Sequence, residues 1–522
     1  MSTPPTGHQF NDERPPALWW TMWKRFILAA ALIIAISAGA TATVALNTVN
    51  GIAEEVFPKI SQINAPKGLV TESYSGGPKT FLVLGSDRRE GSKDSIDKTD
   101  PPHSDTILLV RFDPGQGQTS VLSIPRDLMV DITTPTGAVY GHEKINAAYT
   151  IGSRIGGNRG GMLLAAETIK KQVFPGLVLN AIVDVNFKGF IRVVDALGCA
   201  YVNVDHRYFH QNLGTIETNY TSINLQPGYQ KLCYENALNY VRYRHTDSDF
   251  VRVARQQDFL RSLREQISAG DVLGQIDTVA KAVGHAITST VHGSGEDLLQ
   301  LAKLIVFSQA KPLRQVKFLT TNVNASFGGG SYVLSTPALE QQTLNKFLKG
   351  HEPLNIPSSA TRPRSSSRSK KVTNATSGLR AINLIPTSLG NEGEAVKAAV
   401  QVPFRVLYPA VQVGGAEQQV VRPYTLTDRG NHLHHAYVVV WSHTAGNYYD
   451  FEGSDWVNPP LFAHARAQPI GHREYKIVDN GSHIHVVGWR IGHVLYWVTN
   501  TLLDELSNGQ MLAIARSART LH

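Results

Sequence analysis

From residue 80 onward the chain alternates short β-branched apolar runs with stretches whose apolar positions recur every three or four residues. TFLVLGSD at 80–87, DTILLVRFD at 105–113 and TSVLSIPRD at 119–127 alternate only partly, the pattern of strands covered on both faces. GGMLLAAETIKKQVF at 160–174 sets Leu163, Ala166, Ile169 and Lys170 at helical spacing. LNAIVDV at 179–185 predicts a further strand, and FKGFIRVVDALG a helix stopped by Gly198. ENALNYVRYR is expected to pass from helix to strand, and DFVRVARQQDFLRSLREQI to resume a helix. Alternation of this kind indicates an α/β sandwich. Residues 270–350, helix-rich with one strand at VKFLTT, are expected to complete it.

Outside this block the pattern changes. FILAAALIIAISAGATATVAL at 26–46 carries no charge over a length that spans a bilayer core. Trp19, Trp20 and Trp23 precede it with Lys24 and Arg25, which would keep the N-terminal side cytoplasmic. A transmembrane signal anchor over 23–47 is the expectation, behind a cytoplasmic tail at 1–22. The competing reading is a cleaved signal peptide, since Ala38-Gly39-Ala40 resembles a cleavage site. Residues 48–78 read as a stalk and 79–350 as the main domain. PSSATRPRSSSRSKKVTNATSG lies within a basic linker, expected to be disordered, at 351–379. Aromatic and β-branched runs such as AYVVVW, HIHVVGW and VLYWVTN predict a smaller, mostly β domain over 380–522.

The formal net charge of +8 over 522 residues favours an anionic partner. With the main domains outside the membrane, nucleic acid is not expected. The same location turns the two cysteines, Cys199 and Cys233, into an expected disulfide; inside a cell they would read as incidental buried residues. VRYRHTDSDFVRVARQQ at 241–257 crowds Arg242, Arg244, Arg252 and Arg255 together. Guanidinium groups stay ionised and repel one another unless an anion lies between them. Local pairing with Asp247, Asp249 and Asp258 is the plainer alternative.

LGSDRR at 84–89, SDT at 104–106, SIPRD at 123–127, KINAAY at 144–149, VDVNFKGFIRVVDALG, LQPG at 225–228 and the arginine-rich stretch follow one another in order. Together they resemble the LytR-CpsA-Psr family of membrane-anchored cell-wall phosphotransferases, over about residues 79–268. The resemblance implies an α/β/α sandwich enclosing an apolar pocket for a polyprenyl tail. It implies transfer of a glycopolymer from a polyprenyl-pyrophosphate carrier to peptidoglycan through a phosphodiester, with Mg²⁺ (or Mn²⁺) as cofactor and pyrophosphatase activity as a side reaction.

Residue by residue, Asp87 and Asp105 match the family's metal aspartates at strand ends; capping of a following turn is their alternative use. Arg126 matches its phosphate-binding arginine, and Lys144, Arg242, Arg244, Arg252 and Gln256 match positions around the pyrophosphate. Arg242 and Arg244, two apart on the expected strand, would share a face, as would Arg252 and Gln256, four apart on the helix. Arg126, Asp105, Arg242 and Arg244 are the expected catalytic set. The rival reading is a non-catalytic envelope-binding or regulatory protein that holds polyprenyl-phosphate lipids.

Three weaker signals stand apart. GGNRGG at 156–161 is expected to open a helix, as a flexible loop or an anion nest. His206 and His210 have metal-ligand spacing for a helix but lack a third ligand. His432, His434, His435, His483 and His485 are expected as exposed strand histidines, or as a glycan or partner surface. Lastly, the family commonly has arginine where this chain has His103, which is also expected near the pyrophosphate; otherwise His103 faces solvent and Arg88 supplies the charge. Histidine changes charge across the neutral range, so carrier affinity should fall between about pH 6 and 8 in the wild type and stay flat in His103→Arg. Superimposable pH profiles would remove His103 from the site.

Overall fold

The computed structural model describes residues 50, 61–74, 76–86, 102–211, 222–243, 248–266, 287–292, 299–301, 303–304, 313–349, 354, 356, 382–444 and 446–521. The expected anchor, Asp87 and Arg244 lie outside them. Among the described residues no helix is long and apolar enough to cross a membrane.

Seven strands form the first sheet: β1 (Ser61–Gln62), β2 (Lys79–Ser86), β3 (Ser104–Asp113), β4 (Gln118–Ile124), β5 (Ala181–Val185), β6 (Ile287–Ser289) and β7 (Leu313–Val316). Their order is β1-β6-β5-β2-β3-β4-β7. The sheet is mixed: β2 runs parallel to β5 and antiparallel to β3, while β4 is antiparallel to β3 and parallel to β7. Every residue of β2 is buried, which explains its weak alternation: both faces are covered.

On one face Phe81, Val83, Leu108 and Val121 pack against α2 (Phe187–Ala196), α3 (Tyr234–Arg242) and α4 (Asp249–Glu265). On the other, Leu82, Leu84, Leu109 and Leu122 pack against α1 (Ala147–Thr168), α5 (Pro337–Leu348) and two hairpins. The hairpins join Met129–Thr133 to Val139–Lys144 and Asn322–Phe327 to Gly330–Leu334.

The second sheet contains β8 (Glu417–Thr427), β9 (Leu433–Thr444), β10 (Asn447–Ser454), β11 (Arg466–Ile470), β12 (Arg473–Asn480), β13 (His483–Ile491) and β14 (Val494–Thr499). It is antiparallel throughout, in the order β8-β9-β10-β14-β13-β12-β11. The period-two alternation of β9 sorts its side chains. Tyr437, Val439 and Trp441 enter a core with α6 (Leu389–Ala399) and α7 (Asn508–Ser517). Ala436, Val438 and Val440 face Tyr201 and Tyr229 of the first domain.

The two domains dock through buried polar contacts as well. Asn203 donates to Asp450 at 3.0 Å and the Tyr229 amide to the Tyr424 hydroxyl at 2.8 Å. His485 is clasped between Asp258 of α4, at 3.0 Å, and Asp504, at 2.7 Å. Val251 and Ala254 of α4 pack on Leu502.

Several expectations need correction. Arg242 closes a helix rather than standing on a strand, because Ala237, Leu238 and Val241 fall on one helical face that fills the core. GGNRGG does open a helical segment, the second of two, with Gly156 and Gly157 non-helical between them. It lies inside α1, which starts at Ala147 and kinks where Gly157 takes φ 59°. His206 and His210 are not on a helix, since Tyr208–His210 is a strand paired with Ile223–Leu225. His485 is buried, drawn in by its two carboxylates.

The disulfide is present, joining Cys199 to Cys233 across 34 residues. It ties the start of the hairpin Ala200–Val204/Gly228–Leu232 to the N-terminus of α3. Replacing either cysteine by serine should cost about 3–4 kcal/mol by the loop-entropy relation, read from denaturant unfolding; an unchanged midpoint contradicts this. A second expectation concerns the clasp. Burial disfavours the His485 imidazolium, but the Asp504 and Asp258 carboxylates outweigh it and raise its titration to about 9. Asp504 is held below its usual range because His485 outweighs the opposing effect of burial. The histidine's contribution is complete below its unfolded value and is lost as pH rises through the native one. The aspartate's is lost as pH falls through its depressed value. Thermal stability should therefore decline above about pH 6.5, and the decline should be shallower in His485→Gln; an identical pH slope in both proteins contradicts the assignment.

Candidate functional site

Asp105 opens β3 and Arg126 follows β4, so the antiparallel pairing of Ile107 with Ile124 brings both to one end of the sheet. Arg126 donates from Nη1 to Asp105 Oδ1 at 2.6 Å. Its Nε lies 3.4 Å from Asp127 Oδ2, and Asp127 Oδ1 receives Lys144 Nζ at 2.8 Å. Backbone bonds hold this arrangement: Ile145 donates to the Leu128 carbonyl and Asn146 to the Arg126 carbonyl. SIPRD and KIN, distant in sequence, are thereby laced together. Asp105 keeps 37% of its side chain exposed, Lys144 34% and Arg126 16%, so the cluster opens to solvent.

The α4 side is organised differently. Ser248 caps the helix by accepting from the Val251 amide. Arg252 and Gln256 are buried, and Gln256 donates to the Val241 carbonyl at the end of α3. Arg242 sits over the Phe187 ring at 4.5 Å. Gln257 donates to Ser123 Oγ at 2.9 Å, fastening α4 to β4 three residues before Arg126. Arg255 is fully buried over the Tyr208, Tyr240 and Tyr243 rings, with its guanidinium donating to the Tyr243 carbonyl. The crowded arginines thus separate: Arg255 is caged as a structural cation, and Arg242 and Arg252 lie on α3 and α4.

His103 stands just before β3, next to Pro102, whose carbonyl accepts from Thr150 of α1 at 3.0 Å. A cleft of about 620 Å³, solvent mouth included, lies between Pro125, Phe250, Ala254 and Leu502. Sequence reasoning gave no role to Asp127, Gln257 or the buried Asp184, to which Tyr149 donates at 2.7 Å. Each lies within or beside a quoted motif, and only its partner reveals it.

The LytR_cpsA_psr family model matches residues 47–349, more than half of the chain. The chain belongs to this family. A 207-residue stretch is 30% identical to an uncharacterized protein of Staphylococcus aureus, covering 40% of this chain and 47% of that one. Biofilm regulatory protein A of Streptococcus mutans is 28% identical over 266 residues, 50% of this chain and 60% of the relative. The chain therefore spans about half to three fifths of these curated relatives. Among solved structures, B. subtilis TagV overlaps 52% of this chain and 96% of its own, at 22% identity and TM-score 0.39. The LytR_cpsA_psr match ends at 349, so the second sheet lies outside it.

Proposed function

We propose that this protein transfers a glycopolymer from a polyprenyl-pyrophosphate carrier to a hydroxyl of peptidoglycan, at the outer face of a membrane in which residues 23–47 anchor it. The observation that carries the reading is the linked Asp105–Arg126–Asp127–Lys144 cluster at the sheet end in a chain of this family.

In the reaction, the acceptor oxygen bonds to the phosphorus that bears the polymer. The bond from that phosphorus to the bridging oxygen breaks, polyprenyl phosphate departs and the acceptor proton is released. Such transfer is governed by positioning and charge stabilisation. Arg126 offers planar forked donors for phosphoryl oxygens, and its pairing with Asp105 and Asp127 holds the fork in place before substrate arrives. Lys144 adds a point charge beside it. Arg242, Arg252 and Gln256, on α3 and α4, would add further donors for the pyrophosphate. The apolar wall of Phe250, Ala254 and Leu502 beside Pro125 gives the carrier's isoprenoid chain a surface that excludes water.

A divalent cation fits the donor chemistry in part. Asp105 is a hard, partly exposed carboxylate of the kind Mg²⁺ takes one or two of, alongside waters and phosphate oxygens. Among the described residues no group of three His, Cys, Asp or Glu side chains is arranged to hold a metal, so Asp105 would act with Asp87 and the substrate. Bound there, the ion would neutralise phosphate charge.

The names of relatives such as Biofilm regulatory protein A favour a second reading, a regulator that holds the carrier without turnover. Incubating the detergent-solubilised full chain with a polyprenyl-pyrophosphate sugar, Mg²⁺ and peptidoglycan fragments separates the two. Wild type should release polyprenyl phosphate, and Arg126→Ala and Asp105→Ala should each be slower by about a hundredfold or more. The pair is partly exposed, so unfolding stability should shift by about 1 kcal/mol or less. Tight binding without release supports the regulator, and near-normal rates in both variants remove the catalytic assignment.

A further inference from the structure

The two hairpins on the α1 face of the sheet bury Val130, Ile132 and Val333 in the core, and a bridge between Leu128 and Val333 locks them side by side. Their outer surface carries an open cluster of rings. Phe327 is 51% exposed. His142 stacks on Phe327 with centroids 5.0 Å apart, and Phe327 meets Tyr332 edge-on at 6.3 Å. Lys144 Nζ lies 5.6 Å from the Tyr332 ring centre and, on its other side, 2.8 Å from Asp127. The aromatic surface therefore continues directly into the charge cluster. His142 is held there at φ 56°, unusual for a residue with a side chain, by its amide donating to Asp131 at 3.0 Å.

Single exposed apolar residues are ordinary, but a contiguous set beside a polar site marks a binding surface. A membrane-facing surface would carry basic residues to meet anionic lipid. Here the first hairpin holds Asp131, Glu143 and Lys144, and residues 322–334 hold no charged side chain. Flat, uncharged rings suit a pyranose instead. Its C–H face carries partial positive charge that matches the negative face of an aromatic ring, and its hydroxyls need uncharged donors and acceptors.

Position identifies which glycan. Phosphoryl transfer places the attacking and leaving oxygens roughly in line. The helices that carry Arg242, Arg252 and Gln256 pack on one face of the sheet and the hairpins on the other. With the carrier on the helix side, the attacking hydroxyl arrives from the hairpin side. We propose that the His142–Phe327–Tyr332 surface docks the glycan strand of the acceptor and delivers its hydroxyl beside Lys144 and Arg126. The word acceptor rests on the transferase reading; the glycan site itself does not.

The test is a titration of the full chain with a β-1,4-linked N-acetylglucosamine hexamer, followed by ligand-observed NMR and calorimetry. Wild type should bind saturably, Phe327→Ala should bind about tenfold more weakly, and Phe327→Tyr should retain affinity. Thermal unfolding and affinity for the carrier should be unchanged in both variants, since the Phe327 ring is exposed. Binding should also persist after reconstitution into vesicles containing phosphatidylglycerol. Absence of hexamer binding by the wild type, equal binding by Phe327→Ala, or loss of binding in vesicles, which would place the rings against lipid, each overturns the proposal. Because binding requires no turnover, a protein that binds the hexamer yet releases no polyprenyl phosphate would refute the transferase reading and leave the glycan site standing.

Discussion

Helix α4 is buried nearly all round although its sequence, DFVRVARQQDFLRSLRE, is largely polar and charged. A buried polar group without a partner is costly, and a buried unpaired charge far more so. Each side of the helix must therefore meet a matching surface. Gln256 is answered by the end of α3, Gln257 by β4, Arg255 by three tyrosines, and Asp258 by His485 of the second domain. Leu502 covers Val251 and Ala254. The second domain is thus part of what allows α4 to exist in this form, and α4 carries Arg252 and Gln256. A fragment ending near residue 350 would expose Asp258 and the apolar start of α4 to water, which makes the full chain the proper object for studying the site.

The same constraint organises the sheet end. Arg126, Asp127, Lys144 and Asp105 share charge along a connected path, partly open to solvent, between two differently built sides. On one side helices bring buried guanidinium and amide groups; on the other, hairpins bring exposed rings. In the proposed reaction a pyrophosphate lies between them. The carrier's chain and the acceptor's sugars are then separated by chemistry as well as by direction, the first meeting apolar walls and the second meeting flat aromatic surface.

The strands were legible because continuous burial on both faces leaves a direct trace in β-branched, weakly alternating runs; β2 and β3 fall within one residue of their expected limits, and β4 ends three residues short of its own. The second sheet was legible from its aromatic alternation. Arg242 was misplaced because NYVRYR satisfies a strand pattern locally, while the packing of Ala237, Leu238 and Val241 settles it as helix. His485 looked like any strand histidine, since the carboxylates that bury it lie 227 residues upstream and 19 downstream. Arg126, Asp105 and Lys144 could be named from motifs, whereas Asp127, inside one of those motifs, acquires a role only from the two cations that meet it. The hairpin rings were invisible for a related reason: Phe327 and His142 are far apart in sequence, and a stacked pair has no linear signature.

The central claim, that this site joins two substrates through phosphorus, is tested most directly by mass spectrometry of the acceptor. The full chain, supplied with a polyprenyl-pyrophosphate glycan, Mg²⁺ and a defined peptidoglycan fragment, should yield fragment carrying the glycan plus a single phosphate, with polyprenyl phosphate as the other product. Recovery of unmodified fragment together with intact carrier, or with glycan phosphate released to water, would contradict it.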